Sequence, residues 1–164
     1  MDDRKDTTVV LGMRYAEPKG MVGNIALMKP TLQGTFRPAL AGSLTSEYAV
    51  DGHRWPGILQ RPTLCSVSKR KDNAPYWQVD LQQSYVIHMV TVLIISTGRI
   101  DTVTIDIIDS DGRTLECTSH PGPGVRNTFK DIPCHVPTQG QTVRISKNET
   151  ILTLCEVEIY GTYP

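Results

Sequence analysis

Apolar and polar residues alternate with a period of two in several short stretches of this chain, and no segment carries an apolar residue at helical spacing over three turns. That combination limits the fold more tightly than any other feature, because strict alternation describes a strand with one buried face. Trp77, Val79 and Leu81 share a face, while Gln78 and Asp80 take the other. Val86 to Ile95 forms a denser run rich in β-branched residues, suited to a strand buried on both sides. Thr102 to Ile107 alternates again, with Val103, Ile105 and Ile107 inward, and the Asp109-Ser110-Asp111-Gly112 turn predicts a hairpin returning through Thr114 to Cys117. Thr142 to Ser146 and the closing stretch follow the same rule. In the latter, Cys155, Val157 and Ile159 are expected to face inward, and Glu156 and Glu158 outward. The economical architecture is an all-β, antiparallel β-sandwich.

The 164 residues suit a single domain that buries roughly two-thirds of its unfolded surface. Residues 1 to 23 read as a lead-in segment, residues 24 to 161 as the domain and residues 162 to 164 as a tail. Residues 30 to 75 are broken by Pro38, Gly42, Ser43, Pro56 and Gly57, predicting long loops with short strands, the kind of segment that carries function. Seventeen basic residues balance seventeen acidic ones, and Lys69-Arg70-Lys71 is too short a basic run for a nucleic-acid partner. The most apolar run, Met89 to Ile95, is far too short to span a bilayer. Met1 to Asp6 is not expected to be a signal peptide.

Four cysteines, Cys65, Cys117, Cys134 and Cys155, have neither a Cys-x-x-Cys spacing nor that of a compact zinc site. Two disulfides are the expectation, with three pairings open, and they indicate an oxidising, extracellular setting. Asn148-Glu149-Thr150 is an N-glycosylation acceptor that agrees with secretion.

Several pieces, in order, carry a family likeness: Asn24 to Pro30, Ala49-Val50-Asp51-Gly52, Cys65, Pro75 to Leu81, Tyr85 to Ile87, and Leu154-Cys155-Glu156-Val157-Glu158-Ile159-Tyr160-Gly161. Together they resemble the F-type lectin, or fucolectin, domain, itself similar to the discoidin domains of coagulation factors. The resemblance implies a jelly-roll-like β-sandwich with long ligand-facing loops, and the pairings Cys65–Cys155 and Cys117–Cys134. The first bridge would bring Asp51 and Glu156 near one another. It also implies a bound calcium ion, with Asp51 and Glu156 as side-chain ligands and the carbonyls of Tyr48, Leu64 and Cys155 completing the set. His53 stands where the family usually has asparagine and could offer its carbonyl. Leu64 stands where a serine hydroxyl often contributes. Read without the resemblance, Asp51 is a turn cap and Glu156 an exposed strand carboxylate.

Fucose-binding members use a histidine shortly after the first cysteine, an arginine in an Arg-x-Asp element, and a further basic residue. Here Cys65-Ser66 is followed by Val67, no histidine occurs before Lys71, and the strand end reads Ile94-Ile95-Ser96-Thr97. Arg99 is the remaining basic candidate, so the fold is expected to persist with the usual fucose triad degraded. Trp77 is assigned to the core, whereas Trp55, beside His53 in a loop, is a candidate to stack on a ligand. His53, His88, His120 and His135 are scattered and build no catalytic constellation, so an enzyme is not expected.

The expectation is an extracellular recognition module, stabilised by calcium, that binds a glycan or a cell-surface protein through its loops. It is secreted or is the ectodomain fragment of a larger membrane protein. The alternative is a discoidin-like lipid- or collagen-binding domain using Trp55, Ile58, Leu59 and Lys69 to Lys71 at loop tips, the route by which membrane contact would arise. The sequence leaves the oligomeric state open.

Overall fold

The computed structural model describes residues 19–39, 42–54, 65–94, 103–120, 128–148 and 151–164. It is an antiparallel β-sandwich, as the alternation predicts. Among the described residues the strands are β1 (Thr31–Gln33), β2 (Arg37–Ala39), β3 (Gly42–Leu44), β4 (Ser66–Val67), β5 (Tyr76–Ile94), β6 (Val103–Ile108), β7 (Thr114–His120), β8 (Thr128–Ser146), β9 (Thr153–Leu154) and β10 (Glu156–Thr162), with a 3-10 turn at Ser46–Ala49 between β3 and β4. The main sheet runs β1-β5-β8-β6-β7, with β10 also pairing β5; β2 pairs β3 and β4 pairs β9. As expected, the described residues between 30 and 75 form short strands.

Two long strands build both layers by bending. Tyr76 to Asp80 of β5 pairs with Thr142 to Ser146 of β8, next to β6, while Tyr85 to Ile94 pairs with Thr128 to Gly140 and with β10. The register breaks between Asp80 and Tyr85, where Gln82 has φ +67°. A bulge of this kind lets one strand cross from layer to layer. The stretches 77–81 and 86–95, expected as separate strands, are thus one strand with a corner as far as Ile94. Opposite that corner, a Cβ on Gly140 would stand 2.3 Å from Ile107 Cγ2 and 2.8 Å from the Ile108 carbonyl oxygen, so only glycine lets β8 pass this close to β6.

The core lies between the layers: Trp77, Val79, Leu81, Ile105, Ile107, Val143 and Ile145 meet Ile87, Val90, Val92, Val157 and Ile159 in one contiguous cluster. Trp77 is fully buried, and its indole N–H donates to the Ser46 carbonyl at 2.9 Å, which accounts for the one polar atom that burial would otherwise strand. The hairpin at Asp109 forms as predicted: Asp109 Oδ1 accepts from the Asp111 and Arg113 amides, and Gly112 adopts φ +81°. The fold reaches slightly past the limits 24 to 161, because Val22 bridges to Gly161 and β10 runs through Thr162.

A second, smaller cluster of Leu44, Cys65, Val67, Leu93 and Cys155, flanked by Phe129 and Ile151, packs on the other side of the β5–β8–β10 layer. Cys155, expected to face inward with Val157 and Ile159, belongs to this cluster instead, because the chain bends between β9 and β10 and the alternation does not extend across the bend. The Cys65–Cys155 and Cys117–Cys134 disulfides are both formed. The first fastens the segment around β4 over the outer face of that layer, and this roof creates the site described next.

Candidate functional site

The sheet register sets the floor of the site. Glu156 and Phe129 both lie opposite Leu93, and Glu158 and Asp131 both lie opposite Thr91. Glu156, Glu158, Phe129 and Asp131 therefore share the face turned away from the main core, as period-two logic requires. Their surroundings differ from the expectation. Glu156 is completely buried and Glu158 is 4% exposed, because Leu44, Cys65 and Val67 pack on that side of the layer and Arg54 lies against Glu158. The expectation that both carboxylates stand in solvent is corrected here: alternation tells which face a side chain takes, not what is laid over it.

The two carboxylates are treated differently. Glu158 is held by a fork, with Arg54 Nε donating to Oε1 at 2.5 Å and Nη2 to Oε2 at 2.8 Å, and Tyr160 Oη donating to Oε2 at 2.5 Å. Glu156 has no such partners. Both of its oxygens are buried without a hydrogen bond of normal geometry, although the Gly52 amide and the Asp51 carboxylate lie beside it. Burial, followed by the neighbouring Asp51 and Glu158 charges, pushes its carboxyl up to about 8, against a smaller opposing effect of the Gly52 amide. Buried polar atoms are nearly always satisfied, so a carboxylate orphaned on both oxygens marks a place where something else belongs.

Asp51 supplies the adjacent wall. It follows the 3-10 turn, on which Tyr48 lies, and its side chain is 22% exposed. Oδ1 accepts from the His53 amide at 2.9 Å and Oδ2 lies 3.0 Å from His53 Nδ1. Asp51 thus caps its own turn and also faces Glu156. Gly52 makes the turn possible: it has φ +80°, and a Cβ there would meet Leu27 Cδ1 at 2.9 Å. The Met28 amide donates to the Val50 carbonyl at 2.8 Å, tying the turn to the start of the fold.

Of the residues singled out from sequence, Tyr48, Asp51, His53, Cys155 and Glu156 are all described, and Asp51 and Glu156 come together. Leu64, Trp55 and Arg99 lie outside the described residues. Asn148 is exposed at a bend. Among the described residues no three His, Cys, Asp or Glu side chains gather in a metal-holding group, so two carboxylates alone would not fill a cation's shell. Sequence reasoning missed Arg54, Phe129 and Tyr160. The available signal was the parity of Glu156, Glu158 and Tyr160 along β10; nothing in the local pattern singles out Arg54.

No family model matches the sequence. A fucolectin-1 from Anguilla japonica is 31% identical over 157 residues, spanning 86% of this chain and 82% of the relative. The chain belongs to the F-type lectin family. Among solved structures, an F-type lectin from the serum of striped bass, Morone saxatilis, superposes with a TM-score of 0.70 at 22% identity. The match covers 85% of this chain but only 48% of the bass protein, so the chain spans about half of that relative's length. A fucose binding module from Streptococcus pneumoniae matches with a TM-score of 0.65 at 26% identity, over 87% of this chain and 100% of the module. The F-type lectin sandwich is therefore the scaffold that carries the Asp51–Glu156 pair and the Arg54–Glu158 fork.

Proposed function

We propose that this chain is an extracellular recognition module, stabilised by calcium, that binds a glycan through the loops at one end of its sandwich. The observation that carries this reading is the Glu156 carboxylate, fully buried, unpartnered on both oxygens and next to Asp51. Two carboxylates without sulfur or imidazole in a ligating role fit a hard cation, which takes about six to eight oxygens, many of them from main-chain carbonyls. Asp51 and Glu156 would hold the ion by their side chains, with the carbonyls of Tyr48, His53, Leu64 and Cys155 as further donors. Calcium would supply the positive charge that the Asp51–Glu156 pair lacks. This chain's own part is to bring the Asp51 turn and the first residue of β10 together, which it does through the Cys65–Cys155 bridge and the turn at Gly52.

Glycan binding is supported by relatives described as fucolectins and fucose binding modules. The fucose triad of the family is degraded in this chain. Val67, near the position where a histidine is usual, is apolar and packed into the smaller cluster at 3% exposure, where it offers a sugar no donor. Losing two of three charged donors costs enough to abolish weak monosaccharide binding, so the ligand is a glycan other than simple fucose. Two disulfides and the exposed Asn148 acceptor agree with an extracellular location.

The test is a glycan-array screen with the domain displayed multivalently, since avidity offsets weak single sites. Binding to a defined glycan class that disappears with a chelator supports the proposal. A blank array in calcium, from a domain that melts cooperatively, overturns the glycan reading and directs the search to a protein partner.

A further inference from the structure

The Arg54 guanidinium is immobilised on two sides. Nε and Nη2 are taken by the Glu158 fork, and Cζ sits 4.5 Å from the centre of the Phe129 ring. Glu158 is almost fully enclosed and is fixed in turn by Tyr160 Oη. The Arg54 side chain nevertheless remains 56% exposed, and Nη1 has no hydrogen-bond partner among the described residues. This differs from an ordinary surface ion pair, in which two flexible side chains meet in water. The donor is rigid, its orientation is set by a buried acceptor, and its charge is cancelled by that acceptor.

Its place in the fold is equally specific. Phe129 and Thr128 pair with Leu93 and Ile94 at the end of β5, so Arg54, stacked on Phe129, stands at that end of the layer. We propose that Arg54, anchored by Glu158 and Phe129, is a ligand-contacting donor of this module, and that its pairing restricts the site to uncharged saccharides. The inference rests on the glycan reading above and deepens it. A neutralised guanidinium still donates well-directed hydrogen bonds to hydroxyl oxygens, and a planar fork places them with more precision than an ammonium could. A sialic acid carboxylate or a sulfate would require a cation not already engaged, and would meet the Glu158 charge close behind the donor.

The experiment compares the wild-type domain with Arg54→Ala, Arg54→Lys and Glu158→Gln on an array holding matched neutral, sialylated and sulfated glycans, in calcium. Near-ultraviolet circular dichroism and melting check that each variant is folded. Wild type should bind neutral glycans, and Arg54→Ala and Arg54→Lys should each lose about tenfold or more of that binding, the usual scale for a charge-assisted hydrogen bond. Glu158→Gln keeps the side-chain shape and releases the Arg54 charge, so its preference should move toward acidic glycans by roughly tenfold, a change that a purely structural role would not produce. The inference is overturned if folded Arg54→Ala binds within about twofold of wild type, if wild type prefers acidic glycans, or if Glu158→Gln leaves selectivity unchanged. A wild-type array that is blank in calcium overturns the glycan reading itself, an outcome distinct from the other three.

Discussion

Replacing Glu156 with glutamine should stabilise the cation-free domain at alkaline pH while removing its response to calcium. The carboxyl is raised from an ordinary value of 4.5 to about 8 in the folded chain. The folded state then holds this proton more tightly than the unfolded state does. Its contribution to stability is complete below about pH 4.5 and is lost progressively as pH rises through about 8. At about 1.4 kcal/mol for each tenfold change in proton affinity, the full difference is at most about 5 kcal/mol. Water reaching the partly open Asp51 and the exposed Arg54 screens part of it, leaving about 2 to 3 kcal/mol, or a fall of roughly 5 to 10 °C in melting temperature between pH 5 and pH 8.5. Glutamine cannot ionise, so Glu156→Gln should lose most of that slope and melt above wild type at pH 8.5 in a chelator. Calcium should restore wild type at pH 8.5, since it binds the folded state, and should leave the variant where it is. The assay is thermal melting of both proteins across this pH range, with calcium and with chelator. Parallel pH profiles for the two proteins in chelator would refute the reasoning, because the buried carboxylate would then not be the group that destabilises the empty site.

Two further outcomes test the scaffold. Gly140→Ala places a methyl group against Ile107 and the Ile108 carbonyl oxygen, and overpacking of this kind should cost about 2 kcal/mol or more in urea unfolding, with little change in any site residue. Replacing Cys65 and Cys155 together with serine opens a loop spanning 90 residues and should cost about 4.6 kcal/mol in the chain-entropy account; it should also weaken calcium binding more than the corresponding change at Cys117 and Cys134, whose separation is 17.

Much of the sandwich was legible because one face of each short strand meets the core. Val103, Ile105 and Ile107, or Val143 and Ile145, announce their strands by alternation alone and are buried as read. The long reach of β8 was not legible, since Pro133 and Pro137 interrupt it and proline ordinarily argues against an interior strand. The corner in β5 was also hidden, because Gln82, Gln83 and Ser84 read as a break between strands and only the structure shows a single strand turning there. For the site, the Asp51–Glu156 pairing came from the family likeness. The burial of Glu156 and Glu158 could not come from pattern, because the roof over them is built by residues about 90 to 110 positions earlier in the chain. Arg54 escaped notice for the same reason: it becomes informative only once Glu158 and Phe129 are seen beneath it.

Calcium held between the half-buried Asp51 and the fully buried Glu156 is the proposal on which the site depends. Isothermal titration of calcium into the chelator-stripped domain tests it most directly, with Glu156→Gln run alongside. Wild type should bind one ion per domain and the variant none. Absence of binding to a folded wild-type domain, or equal binding by both proteins, would contradict it.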